Sequence, residues 1–87
     1  MKCSLSIIIP SYNSIKTIDR CLSSVFKSKF KNYEVIVVSD NSNDGSNDII
    51  REYPCRLINL KKNVGAAAAR NAGAKIAKSE ILVLDIP

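Results

Sequence analysis

Short polar side chains follow four apolar runs of the chain, and their types suit hydrogen bonding or the binding of a cation. The most concentrated group follows the run VIVV and reads SDNSNDGS, from Ser39 to Ser46. Asp40 comes just past the end of the apolar run, where an unpaired carboxylate would be costly, so it needs a partner. The groups are Ser11, Tyr12 and Asn13 after the first run, Asp40, Asn41, Ser42 and Asp44 after the second, Asn63 and Gly65 after the third, and Asp85 after the fourth.

Several of these residues admit a structural interpretation as well as a functional one. Asn43–Ser46 is favoured as a turn and helix cap, because Asn, Asp, Gly and Ser are the residues that turns prefer. Tyr12 could be a core aromatic, or it could present the flat face on which a nucleotide base stacks. Arg70 lies among Ala66 and Ala69. A lone arginine there is usually solvated, but small neighbours leave space for a ligand, and a guanidinium suits a phosphate or a base edge.

The elements that must position these groups alternate between strand and helix periods. Such alternation predicts a Rossmann-like, three-layer α/β/α domain over residues 1–87, with a four-stranded parallel sheet. Because ligands bind at the carboxyl ends of parallel strands, the polar groups should meet at one edge of that sheet. The predicted strands are Leu5–Ile9, Tyr33–Val38, Arg56–Leu60 and Glu80–Leu84, and the predicted helices begin at Asn13 or Ser14, cover Ile49–Tyr53, and cover Gly65–Lys78.

The composition excludes several kinds of site and of protein. There is no histidine, so a histidine base or metal ligand is impossible. The three cysteines match no metal motif and are typical of free thiols in a cytoplasmic protein. The turn PSYNS lacks the glycines of a dinucleotide fold, and no P-loop is present. The net charge of +5 suits an anionic ligand or simply a soluble surface, and no apolar run reaches the ~18 residues of a membrane span.

Three segments together resemble the amino-terminal half of family 2 glycosyltransferases with the GT-A fold. They read SIIIPSYN, VIVVSDNSNDGS and NVGAAAARNAGAKIAKSEILVLD, in the family's order and spacing. The resemblance implies an enzyme that transfers a sugar from a nucleotide-diphosphate donor to an acceptor, usually with inversion. It implies a cytoplasmic location, or the inner membrane face for a longer parent protein.

The resemblance also assigns roles to individual residues. Residues 10–12 match the loop that lines the base pocket, where the aromatic packs on the base. Asp40 matches an acid that hydrogen-bonds the base or ribose, and Arg70 matches the arginine of the family's ARN segment beside the nucleotide. Asp85 matches the first Asp of the metal-binding Asp-x-Asp. The predicted nucleotide-binding residues are Pro10, Ser11, Tyr12, Asn13, Asp40, Asn41, Ser42, Asn63, Gly65 and Arg70, with Asp85 as the metal ligand and no catalytic residue.

Two departures from the family pattern bear on activity. Ser39 replaces one member of a frequent acid pair, and Pro87 stands where the second Asp of Asp-x-Asp is expected. A divalent cation, Mg²⁺ or Mn²⁺, would then need further ligands beyond residue 87. The family's general base and acceptor pocket lie in its second half. We therefore expect this chain to be a nucleotide-binding half that transfers no sugar alone, and its fourth strand to be a bare edge that favours self-association.

Two other functions are compatible with the same residues. A non-catalytic nucleotide-binding or interaction module could keep this fold, and the missing second Asp favours it. A nucleic-acid binder is suggested only by the charge; without a basic stripe interleaved with aromatics, we expect no nucleic-acid partner. The sequence names neither the sugar, the base nor the acceptor.

Overall fold

The computed structural model describes residues 4–28 and 32–84, in which four strands alternate with three helices. The prediction for Asp85 lies outside the described residues, as does the part of the chain that holds Pro87. In chain order the elements are β1 (Leu5–Ser11), α1 (Ile18–Phe26), β2 (Tyr33–Ser39), α2 (Ser46–Ile50), β3 (Arg56–Asn59), α3 (Ala66–Ile76) and β4 (Glu80–Val83).

The four strands form one parallel sheet in the order β3-β2-β1-β4, which confirms the predicted fold class. The chain adds strands outward from β1 to β3 and then returns to place β4 on the other side of β1. This return is a change of strand order, and ligands of open parallel sheets bind beside such changes, outside the carboxyl ends of the strands.

Both faces of the sheet are covered, because alternate side chains of a strand point to opposite faces. Ile7 and Ile9 belong to the cluster that contains α1 and α2 side chains, whereas Ile8 belongs to the cluster that contains Ala69 of α3. All three isoleucines are fully buried. Burying each contributes roughly 1.5–3 kcal/mol relative to leaving it exposed, so β1 is the centre of the core.

Several element boundaries differ from the sequence prediction. Helix α2 covers Ser46–Ile50 instead of Ile49–Tyr53, because the turn before it ends at Gly45, and most strand ends differ by a single residue. Strand β1 continues through Pro10 to Ser11 instead of stopping at the proline. Pro10 has no N–H, but its register partner is Val38 of β2, and the pairing of β1 with β4 ends at Ile8. The ring therefore falls beyond the part of β1 that pairs with β4, where a proline is tolerated.

Helix α1 begins at Ile18, four or five residues after the predicted cap at Ser14 or Asn13. A turn comes first, in which the amides of Thr17 and Ile18 both donate to the Ser14 carbonyl oxygen, at 2.9 and 2.8 Å. Ile15 fits the helical spacing, but its amide donates to a side chain of another loop instead of entering the helix. The apolar spacing was correct for the helix and wrong for its start.

A polar contact joins β1 and β2 near their amino-terminal ends. The Ser6 hydroxyl donates to Glu34 Oε2 over 2.6 Å, and the Lys78 amide donates to the same oxygen over 3.2 Å. The hydrogen bond from Ser6 lowers the pKa of the Glu34 carboxyl; burial opposes that change, and Lys78 and Arg56 add to it. Glu34 thereby connects β1, β2 and the end of α3.

Candidate nucleotide-binding site

An open cleft of about 860 Å³ lies at the carboxyl ends of β1 and β2. One wall is the first loop, which we define as residues 12–17, and the opposite wall is the start of α3. The lining residues are Pro10, Ser11, Tyr12, Asn13, Ser14, Ile15, Lys16, Thr17, Asp40, Asn63, Gly65, Ala66, Ala69 and Arg70.

Tyr12 is an exposed side chain of the first loop, with 56% of its surface accessible. It is therefore not a core aromatic, and its ring is available to a planar ligand in the cleft. Behind it, the hydroxyls of Ser11 and Ser14 share a hydrogen bond of 2.6 Å. Ser11 itself is buried at the end of β1, so this bond ties Ser14 of the first loop to the sheet.

Asp40 stands at the floor of the cleft with only 3% of its surface exposed. Its carboxylate accepts two backbone hydrogen bonds, from Val64 to Oδ1 at 2.7 Å and from Gly65 to Oδ2 at 2.8 Å. Its own amide donates to the Ser11 carbonyl oxygen at 2.8 Å. The partner that this buried carboxylate requires is thus the loop before α3, and Asp40 fixes the place where that helix begins.

The start of α3 supplies the second wall of the cleft. Gly65 has φ of 92°, a left-handed conformation that glycine adopts without strain. Ala66 and Ala69 line the cleft with small side chains that leave space for a ligand, and the half-buried Arg70 lines it next to them. The amino-terminal end of an eleven-residue helix carries partial positive charge, which favours an anion at this position.

Charged side chains in the cleft favour an anionic ligand. Lys16 and Arg70 line it from opposite walls, while each carboxylate oxygen of Asp40 accepts a hydrogen bond from a backbone amide. The cationic residues therefore outnumber the acid, and a phosphate-bearing ligand is attracted.

The structure brings most of the predicted site residues together. Pro10, Ser11, Tyr12, Asn13, Asp40, Asn63, Gly65 and Arg70 all line the cleft. Asn41 and Ser42 do not line it. Asn41 is exposed with φ of 60° at the turn after β2, and the Ser42 hydroxyl accepts a hydrogen bond from the Asn13 amide at 3.0 Å.

Sequence reasoning missed Lys16, Ser14 and Thr17 as lining residues. The sequence pattern predicts a helix capped at Asn13 or Ser14, which assigns these residues to the start of that helix instead of to a loop. A cation and two hydroxyls within five residues of Tyr12 were the available signal for a longer binding loop.

Within residues 4–28 and 32–84, no group of three metal-binding side chains is present. The described residues therefore do not by themselves fit a divalent cation. No helix in this part of the chain is long and apolar enough to cross a membrane.

The strand order and the cleft are those of a parallel α/β unit of the GT-A type, and comparison with known proteins makes the assignment specific. The sequence pattern of Glycosyl transferase family 2 matches residues 6–84. This chain belongs to glycosyltransferase family 2.

Individual relatives share the sequence and the architecture. The Escherichia coli UDP-Glc:alpha-D-GlcNAc-diphosphoundecaprenol beta-1,3-glucosyltransferase WfaP is 41% identical over 81 residues, which are 90% of this chain and 32% of that protein. The crystal structure of Staphylococcus aureus TarS 1-349 in complex with UDP-GlcNAc superimposes with a TM-score of 0.90 at 34% identity, covering 94% of this chain and 26% of that one.

A third structure shares the fold at lower identity. The mannosyltransferase PcManGT from Pyrobaculum calidifontis, in complex with GDP-Man and Mn²⁺, gives a TM-score of 0.89 at 24% identity, covering 98% of this chain and 28% of that one. The chain thus spans about a third or less of the length of these relatives.

Proposed function

We propose that this chain binds the nucleotide-diphosphate part of a sugar donor, and that it serves a glycosyltransferase in moving the sugar to an acceptor. The observation that carries the proposal is the convergence of Tyr12, Asp40 and Arg70, which lie far apart in the sequence, on one cleft. An aromatic face, a buried carboxylate and a guanidinium are respectively suited to a base, to base N–H groups and to phosphate.

Uridine diphosphate is the nucleotide that we infer. TarS, which is 34% identical to this chain, is named in complexes with UDP and with UDP-GlcNAc, and WfaP is named as using UDP-Glc. Each oxygen of a carboxylate can accept two hydrogen bonds. Asp40 can therefore hold the loop before α3 and still accept an N–H from a base that stacks on Tyr12.

The chain holds no residue to which we assign the general base of transfer. We propose that the base and the acceptor pocket belong to sequence outside residues 1–87, and that the 87-residue chain alone transfers no sugar. A divalent cation would bind the diphosphate only where further ligands join Asp85. The free thiols of Cys21 and Cys55 are compatible with a cytoplasmic reaction.

Calorimetric titration with UDP, GDP and dTDP, with and without Mn²⁺, tests the proposal. We expect UDP to bind, and Tyr12→Ala to weaken it by about 1–3 kcal/mol, roughly 5- to 150-fold, while Tyr12→Phe retains the ring and the affinity. Arg70→Gln should weaken UDP more than uridine. Arg51→Gln is the matched control, because Arg51 pairs with Asp48 on the surface of α2 and does not line the cleft.

Each outcome of the titration has a definite meaning. Failure of the wild-type chain to bind any of the three nucleotides would refute the proposal. Stronger binding of UDP in the presence of Mn²⁺ would count against the alternative of a non-catalytic nucleotide-binding module, which the missing second Asp suggests.

We also propose that the chain self-associates through β4. Among the described strands β4 is last in the sheet order, and it pairs only with β1. Its apolar side chains Ile81 and Val83 are 45% and 38% exposed, so a second copy could pair along this edge. Light scattering should show a dimer that Ile81→Lys converts to a monomer, with Ser24→Lys on α1 as the control; a wild-type monomer at all concentrations would contradict this.

A further inference from the structure

Two loops beside the cleft are joined by hydrogen bonds between residues that are 29 or 30 positions apart. The Asn13 amide donates to Ser42 Oγ at 3.0 Å, and the Asn43 amide donates to Asn13 Oδ1 at 2.9 Å. The Ile15 amide donates to Asp44 Oδ2 at 3.0 Å. We refer to these five residues, Asn13, Ile15, Ser42, Asn43 and Asp44, as the interloop clamp.

Asp44 has two separate functions in the clamp. Its Oδ2 accepts from Ile15 across the interface between the loops, while its Oδ1 accepts from the Ser46 amide at 3.0 Å within its own turn. The second contact is an Asx-turn that leads into α2. One carboxylate thus fixes its own loop and holds the other loop to it.

Backbone geometry adapts both loops to the clamp. Asn13 has φ of 46° and Asn41 has φ of 60°, both in the left-handed region that asparagine tolerates better than most residues. Gly45, at φ of 91°, lets the chain turn back beside Ile15, whose Cδ1 would lie 3.7 Å from a Cβ at this position.

Ser42 and Asp44, which accept hydrogen bonds from the first loop, lie outside the cleft. All of residues 12–17 line the cleft, including the anchored Asn13 and Ile15, whereas no residue from Asn41 to Gly45 lines it. The amides of Asn13 and Ile15 are therefore held from outside on either side of Ser14, and the exposed ring of Tyr12 is presented by a segment whose path is fixed.

We propose that Asp44 is a positioning residue for the nucleotide: through its hydrogen bond to Ile15 it keeps the first loop in the shape that binds the base. This inference rests on the proposed nucleotide-binding function. A wall that is ordered before binding does not lose conformational freedom when the ligand arrives, and that loss otherwise weakens affinity.

The substitution Asp44→Asn separates the two contacts of this side chain. The introduced amide has one oxygen, which can still accept from Ser46, and asparagine is as favourable as aspartate at such turns. Its NH₂ group cannot accept from the Ile15 amide. Asp48→Asn makes the same chemical change on the exposed surface of α2, outside the clamp, and is the matched control.

Charge and positioning predict opposite results for Asp44→Asn. Removing a negative charge near an anionic ligand should strengthen UDP binding or leave it unchanged. Loss of the clamp should instead weaken UDP and uridine alike, by about tenfold, because both depend on the base-stacking loop. Ser42→Ala, which removes the acceptor for Asn13, should act in the same direction with a smaller effect.

The experiment combines titration of UDP and uridine, amide hydrogen exchange, and thermal unfolding of the 87-residue chain. Support is a tenfold loss of affinity in Asp44→Asn, faster exchange of the Ile15 amide, and the affinity and exchange of Asp48→Asn unchanged. Wild-type affinity in Asp44→Asn, or an equal loss in Asp48→Asn, would overturn the inference while leaving nucleotide binding intact. A wild-type chain that binds neither ligand would overturn the proposed function itself.

Discussion

Replacing Gly73 by alanine tests how closely α3 must approach the sheet. Gly73 is buried in the middle of α3, one turn after Ala69, and both face the cluster around Ile8. An alanine Cβ at this position would lie 2.7 Å from Ile8 Cγ2, 3.1 Å from Val38 Cγ2 and 3.3 Å from Ile8 Cδ1. Ile8 and Val38 are fully buried and β-branched, so neither side chain has space or rotamers into which it can move.

Two effects of opposite sign decide the magnitude. Alanine is favoured over glycine inside a helix by about 1 kcal/mol. Inserting a methyl group into a packed core costs about 1–3 kcal/mol, and a contact of 2.7 Å to a buried, stiff side chain belongs near the upper end of that range. We expect Gly73→Ala to lower the free energy of unfolding by about 1–2 kcal/mol, and the thermal midpoint of this small domain by about 4–8 °C per kcal/mol.

Thermal and urea unfolding followed by circular dichroism measure this change. Ala68→Gly, on the exposed side of the same helix, is the control for propensity and should cost about 1 kcal/mol. In an Ile8→Ala background, studied in stabilising sulfate, the contacts to Ile8 are removed and only that to Val38 Cγ2 remains, so the cost of Gly73→Ala should fall. A Gly73→Ala variant that is more stable than the wild type in the native background would refute the packing explanation.

Three further predictions concern single polar groups. Asp40→Asn leaves one of two backbone amides in the loop before α3 without an acceptor, so it should lower the free energy of unfolding by about 1–3 kcal/mol and abolish UDP binding in the same titration; wild-type stability would contradict this. Folding lowers the pKa of Glu34, so the ionised carboxylate stabilises the folded chain. The stability difference between wild type and Glu34→Gln should be complete above pH 4.5, the ordinary pKa of glutamate, and should disappear as the pH falls through the lower pKa of the folded state. A difference in urea unfolding that does not change with pH would contradict this. Ser39 is buried with a hydroxyl that has no partner among the described residues, so Ser39→Ala should raise stability slightly or leave it unchanged; a loss above about 1 kcal/mol would show a missing hydrogen bond.

The strands and their order of alternation with helices could be predicted because apolar periodicity is local. Ile7, Ile8 and Ile9 are consecutive and apolar, as a strand buried on both faces requires. The start of α1 could not be predicted in the same way. Ile15 matches the helical spacing, but its amide donates to Asp44, 29 residues away, and this hydrogen bond keeps it out of the helix.

The membership of the site was predictable to the extent that it follows from strand ends. Tyr12, Asp40 and Arg70 meet because parallel strands bring their carboxyl ends to one edge. The partners of Asp40 and the role of Ser42 were not predictable, because they are backbone and side-chain contacts between loops. Nothing in the composition of either loop specifies which amide a given oxygen will accept from.

Asp40 holds the loop before α3 by its main chain, so the path of that loop does not depend on which side chains the loop carries. The carboxylate accepts hydrogen bonds from the main-chain amides of Val64 and Gly65. Lys61, Lys62 and Val64 are all exposed to solvent. Mutations at those three positions can therefore accumulate beside the cleft without loosening the wall. The surface of this loop can vary at little cost in stability, provided that the aspartate and the glycine remain.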